Sequence, residues 1–109
     1  MKLTVFAVLV LVIAGFTTTA NAERFEKMKP DYYKFDYSYK NWRIIENSVC
    51  EQYSGLDWKG CRRYANWFFD KKCWEYRYEL RHKSGSVRQK LMKQKEMFCH
   101  AKRTITPLG

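Results

Sequence analysis

Cys61-Arg62-Arg63-Tyr64-Ala65-Asn66-Trp67-Phe68-Phe69-Asp70-Lys71-Lys72-Cys73 interleaves aromatic rings with cations between two of the four cysteines. Continued as a helix to Leu80, the stretch has two apolar faces. At about 100° per residue, Cys61, Tyr64, Ala65, Phe68 and Tyr76 gather on one side, and Trp67, Trp74 and Tyr78 fall in a narrow arc on another. A helix of a small domain needs one face for the core. The second stripe either packs under another segment or meets a partner.

Upstream, Lys2, the apolar run from Leu3 to Phe16 and the ending Ala20-Asn21-Ala22 are the parts of a secretory signal peptide, residues 1–22, with cleavage expected after Ala22. The run is shorter than the roughly 20 residues of a membrane-spanning helix, and no later stretch is longer, so no transmembrane segment is expected. A secreted chain with four cysteines and a modest core is expected to be held by two disulfides. The spacing Cys-x10-Cys-x11-Cys-x25-Cys has no close ligand pair, which speaks against zinc.

Residues 23–40 form a Tyr-rich arm in which Tyr33, Phe35, Tyr37 and Tyr39 alternate with Lys34, Asp36, Ser38 and Lys40. A period of two predicts extended backbone. The tyrosines can lie over the helical body, or serve self-association or cross-linking. Residues 41–103 read as the four-cysteine helical domain. Asn41 can cap a first helix with Trp42, Ile45, Val49, Cys50 and Tyr53 on one face, stopped at Ser54-Gly55. The second helix runs from about Cys61 to His82. A third starts near Ser86 and turns Val87, Leu91 and Phe98, with Met92 and Cys99 less centrally, toward the body. Residues 104–109 are expected to fray. The fold class is thus mainly α, a small three-helix, disulfide-stapled domain with an extended Tyr-rich N-terminal arm.

Glycine turns at Gly55 and Gly85 place Cys50 and Cys61, and Cys73 and Cys99, at comparable distances from their turns. Antiparallel hairpins therefore favour the pairs Cys50 with Cys61 and Cys73 with Cys99, each contributing about 2–4 kcal/mol. Cys50 with Cys73, or Cys61 with Cys99, also fits the spacing.

Charge is unevenly placed. Residues 23–80 hold 12 basic and 10 acidic side chains, whereas residues 81–109 hold 8 and 1. Outside the cell such a cationic third points to acidic polymers, anionic surfaces or acidic proteins, and not to nucleic acid. Two clusters are the candidate binding face: Trp67, Trp74 and Tyr78 bordered by Arg63, Lys71 and Arg81 on the second helix, and Lys90, Lys93, Lys95, Lys102 and Arg103 on the third. No catalytic, cofactor or metal site is expected. His82 and His100 suit helix C-termini, and Glu75 with Glu79 lies among Lys71, Lys72 and Arg77 as ordinary surface pairing.

The segments Cys61-Arg62-Arg63-Tyr64 and Cys73-Trp74-Glu75-Tyr76-Arg77-Tyr78, within a basic, Tyr- and Trp-rich body of four spaced cysteines behind a secretory leader, resemble the basic domain of the lysine-rich matrix proteins of bivalve shells. The Gly/Tyr-rich repeat that commonly ends those proteins has no counterpart in Thr104-Ile105-Thr106-Pro107-Leu108-Gly109. The resemblance implies a non-enzymatic structural protein, secreted into an extracellular matrix, that binds acidic matrix proteins, chitin or carbonate mineral. It also implies that Tyr32, Tyr33, Tyr37 and Tyr39 are candidates for oxidative cross-linking. The other reading of the same faces is a cationic secreted effector, a venom or antimicrobial polypeptide acting on membranes or channels.

Overall fold

The computed structural model describes residues 23–108, so the expected signal peptide, residues 1–22, and Gly109 lie outside the described part. The protein is a mainly helical, disulfide-stapled domain. Residues 23–27 are helical, residues 30–38 run extended, and a hairpin follows, with β1 at Tyr39–Lys40 and β2 at Arg43–Ile44. Past residue 44 come three helices: a 3-10 turn at Glu46–Ser48, α1 at Gly55–Leu80 and α2 at Ser86–Thr104.

The helix expected from Asn41 is reduced to that 3-10 turn. Asn41 does not cap a helix; it and Trp42 both take positive φ, 53° and 59°, and form the two-residue loop of a hairpin that pairs Tyr39 with Ile44 and Lys40 with Arg43. Side chains then compete with helical bonding. The Ser48 hydroxyl donates to the Ile45 carbonyl at 2.6 Å and accepts from the Ser38 N–H at 2.9 Å, while Ile45 N–H bonds the Ser38 carbonyl. Cys50, with φ at 65°, closes the segment in a left-handed conformation.

α1 is longer than expected and starts at Gly55, so Trp58 belongs to its first turns and not to a connecting turn. Cys61, Ala65, Phe69 and Cys73 recur every fourth residue on the buried side of α1, with Phe69 and Tyr76 stacked on Phe98 of α2 at 6.1 and 5.4 Å. From α2 the core receives Met97, Phe98 and Ala101. Val87 and Met92 stay exposed, because the antiparallel pair contacts tightly only over the half of α2 distal to the Gly85 turn. Arg88 reaches back across that turn, and its Nη1 donates to the Leu80 carbonyl at the open end of α1.

The tail is not wholly frayed. Ile105 is fully buried, and Asn66 on α1 donates through Nδ2 to the carbonyls of Lys102 and Ile105 at 2.7 and 2.9 Å. Those bonds satisfy carbonyls that the end of α2 leaves open.

The disulfides are Cys50–Cys61 and Cys73–Cys99. One ties the 3-10 segment to α1, and the other ties α1 to α2. Over this frame lies the arm. Phe35 and Tyr37 pack edge-on against Phe69 at 6.0 and 5.4 Å, while Lys34, Asp36 and Ser38 face solvent.

Candidate functional site

The expected binding residues fall into three places. On α1, Lys71 lies over the Trp67 ring and Trp74 packs on Tyr78 at 5.9 Å, and residues 23–29 lie across part of this side. Trp67 Nε1 donates to the Phe25 carbonyl at 2.8 Å, and the buried Phe25 ring meets Trp74 at 5.8 Å. The ammonium groups of Lys29 and Lys71 sit over the Trp67 ring at 5.6 and 5.4 Å, and Lys71 also reaches Glu26 at 4.0 Å. The stripe is therefore used in part for intramolecular packing. Its far end, Trp74 with Tyr78, lines a shallow cleft of about 300 Å³ with Lys72, Glu75 and Glu79. Arg63 lies apart, with Lys29, Asp31, Tyr33 and Lys59 around a cleft of about 490 Å³.

On α2 the cations divide. Lys95, Lys102 and Arg103 converge with Arg77 of α1 around a cleft of about 370 Å³ whose wall includes Cys73 and Cys99. One carboxylate, Glu96, lies in it. Lys95 bonds Glu96 at 2.8 Å and Lys102 bonds Asp70 at 2.9 Å, whereas Arg77 and Arg103 have no ion pair among the described residues. The Lys95 ammonium holds the Glu96 carboxyl below its ordinary value, and Arg103 and Arg43 add to that pull. Glu96 also lines the neighbouring cleft of about 360 Å³, formed with Asn41, Trp42, Arg43, Met92 and Lys93. The two clefts thus adjoin along α2. Lys90 lines neither.

The four arm tyrosines have unlike surroundings. Tyr32 and Tyr39 are 68% and 57% exposed. Tyr33 is set on the α1 backbone at Gly60, edge-on to Tyr53 at 5.4 Å, and donates to Asp57 Oδ1 at 3.3 Å. Tyr37 is wedged against Phe69 and Phe98, and burial, with lesser contributions from Tyr76 and Tyr39, raises its pKa.

Three residues of these clefts and the core carry no local sign of their place. Trp42 has the spacing of a helix face, and Asn41 is the one local signal of the two-residue loop, since Trp42 stands where glycine is favoured. Along the sequence Arg77 sits among Glu75 and Glu79 as a surface partner, and only the packing of α1 on α2 brings it to Lys95 and Arg103. Arg62 is buried, with its guanidinium 4.7 Å from the centre of the Trp58 ring and Nη2 donating to the Glu46 carbonyl at 3.3 Å. Nothing local in the sequence separates it from the exposed Arg63.

No protein-family model, curated protein or solved structure matches the chain. Among the described residues, no helix is long and apolar enough to cross a membrane, and no cluster of side chains could hold a metal ion. With two disulfides, the domain is compatible with an extracellular protein.

Proposed function

We propose that the protein is a secreted, non-enzymatic structural component of an extracellular matrix of the shell type, which holds acidic matrix components, chitin or carbonate mineral on a fixed cationic surface. The observation that carries the reading is the convergence of Arg77, Lys95, Lys102 and Arg103 on one cleft walled by a disulfide, where Glu96 and Asp70 pair Lys95 and Lys102 and leave Arg77 and Arg103 without an ion pair among the described residues. Cations fixed by two crossed helices attract polyanions without first losing much conformational freedom. Exposed Tyr32 and Tyr39 offer phenols for cross-linking, while Tyr33 and Tyr37 act in packing.

The test is adsorption of the oxidised, secreted protein to chitin, calcium carbonate, poly-aspartate and a sulfated glycan across a salt series. Binding to at least one that weakens steadily with salt is expected. Failure to bind any of them at every ionic strength would overturn the proposal. Leakage of anionic vesicles at the same protein concentrations would replace it with the effector reading.

A further inference from the structure

The tip of the β-hairpin carries a bulky residue in a conformation that suits it poorly. Trp42 has φ at 59° in the second position of the two-residue loop, where glycine is the favoured residue after asparagine. A side chain in the left-handed region costs about 1–2 kcal/mol, and such strain persists where the surroundings or a function require that residue. Packing uses only part of the ring. Trp42 is half-buried, stacks on the exposed Tyr39 at 6.2 Å with planes 28° apart, and turns its remaining surface to the cleft shared with Arg43, Met92 and Lys93. Met92 is 47% exposed there. The Lys93 ammonium hovers at 5.9 Å from the Trp42 ring centre, at the outer range of a cation–π contact and on a flexible stem.

The chemistry of this tip differs from that of the cationic cleft beside it. A flat aromatic face next to guanidinium and ammonium groups matches a ligand with both an apolar ring face and anionic substituents. The C–H face of a pyranose supplies the first, attracted to the negative face of the indole. Sulfate or carboxylate groups supply the second, and guanidinium binds them in bidentate fashion. Because Glu96 borders both clefts, a linear chain leaving the hairpin tip along α2 meets Arg103, Lys95 and Arg77 next. An acidic polypeptide would use the cations but has no need of the strained Trp42.

We propose that the hairpin tip and the adjoining cleft form a binding site for an acidic polysaccharide, with a sugar ring stacked on Trp42 and its anionic groups held by Arg43, Lys93 and the cations beyond Glu96. The site rests on the matrix-binding reading above and narrows its ligand. The sugar takes the ring face that Lys93 now covers, and Lys93 turns to a sulfate or carboxylate.

Trp42→Gly is a discriminating variant, because it removes the ring while giving the loop its preferred Asn-Gly sequence. Calorimetric titration of the full oxidised protein with a heparin hexasaccharide and with poly-aspartate is expected to show heparin affinity about tenfold weaker in the variant and poly-aspartate affinity unchanged. Equal affinity of wild type and variant for heparin, or an equal loss for both ligands, would sink the polysaccharide site while leaving the broader matrix reading in place. Wild-type protein that binds neither polyanion at low salt would remove both. If the variant fails to fold, the wild type still decides: on saturation with the hexasaccharide the indole N–H resonance of Trp42 should shift and that of Trp67 should not. A shift confined to the other tryptophans overturns the assignment.

Discussion

Arg62 lies on the core side of α1 with 4% of its surface exposed, and its Nε and Nη1 have no hydrogen-bond partner. Glu46 Oε1 is 3.8 Å from Nη1, too long for a bond, and burial lowers the Arg62 pKa against the pull of that carboxylate. The side chain is kept by its stem and its stack on Trp58, and not by a strong ion pair. Arg62→Met, which retains the stem and removes the buried charge, is therefore expected to lie within about 1 kcal/mol of wild type or above it. Arg62→Ala, which opens a cavity under Trp58, should lose about 1–3 kcal/mol in urea denaturation. Tyr37 and Tyr64 make a second prediction at this scale. Burial raises both phenol pKa values, assisted by Tyr76 and Tyr39 at the first and by Tyr32 and Glu26 at the second. The folded state then favours the neutral phenol more than the unfolded state does. Their contribution is complete below the ordinary value of about 10 and is lost as pH rises through the folded values. Circular dichroism and phenolate absorbance followed together should show unfolding coupled to tyrosine ionisation only above pH about 10. Nothing in the residue string marks Arg62 apart from Arg63, since a single buried cation is decided by which ring happens to cover it.

The arm is held to α1 through close approach at a glycine. A Cβ built at Gly60 would lie 2.7 Å from ring atoms of Tyr33, whose ring also meets Tyr53 edge-on and whose hydroxyl donates to Asp57. Gly60→Ala should raise intrinsic helix propensity in α1 by about 1 kcal/mol yet expel the Tyr33 ring. Native-state digestion with chymotrypsin is expected to cut the variant at residues 33–37 well before the wild type; equal cutting rates would mean that Gly60 does not anchor the arm. The alternation that predicted extended backbone in this arm also predicted its sidedness, because a strand-like chain has two faces and one covers the helices. The same kind of pattern failed over residues 41–53. Apolar spacing at Trp42, Ile45, Val49 and Tyr53 fits a helix, but Asn41 and Trp42 take a left-handed loop and the Ser48 hydroxyl bonds Ser38 and Ile45, which a helix cannot use. Pattern sets which residues face inward; local polar competition set the backbone path between them.

Across the whole domain the two disulfides have unlike exposure. Cys50 and Cys61 are fully buried, whereas Cys99 is partly exposed and lies with Cys73 at the cleft of Arg77, Lys95, Lys102 and Arg103. Cations beside a disulfide favour the approach of an anionic thiolate and stabilise the thiolate that leaves. Mild glutathione treatment should reduce Cys73–Cys99 first, giving a species with that pair alone alkylated in mass spectrometry. Replacing the pair by Ser should cost about 3–4 kcal/mol and loosen α2 from α1, because the bridge closes the longer loop. The sequence by itself determined the helical class, the breaks near Gly85, the two sides of the arm and the favoured cysteine pairs, because periodicity, turn chemistry and loop symmetry are local along the chain. Tertiary structure alone decided that Phe25 and Lys29 cover Trp67, that Arg62 is buried, and that Trp42 with Arg43 meets Lys93 and Glu96 beside Arg77, Lys95 and Arg103. These juxtapositions join residues 18–54 positions apart, or depend on which ring covers which charge, and they arise only when the hairpin and both helices are packed on one core.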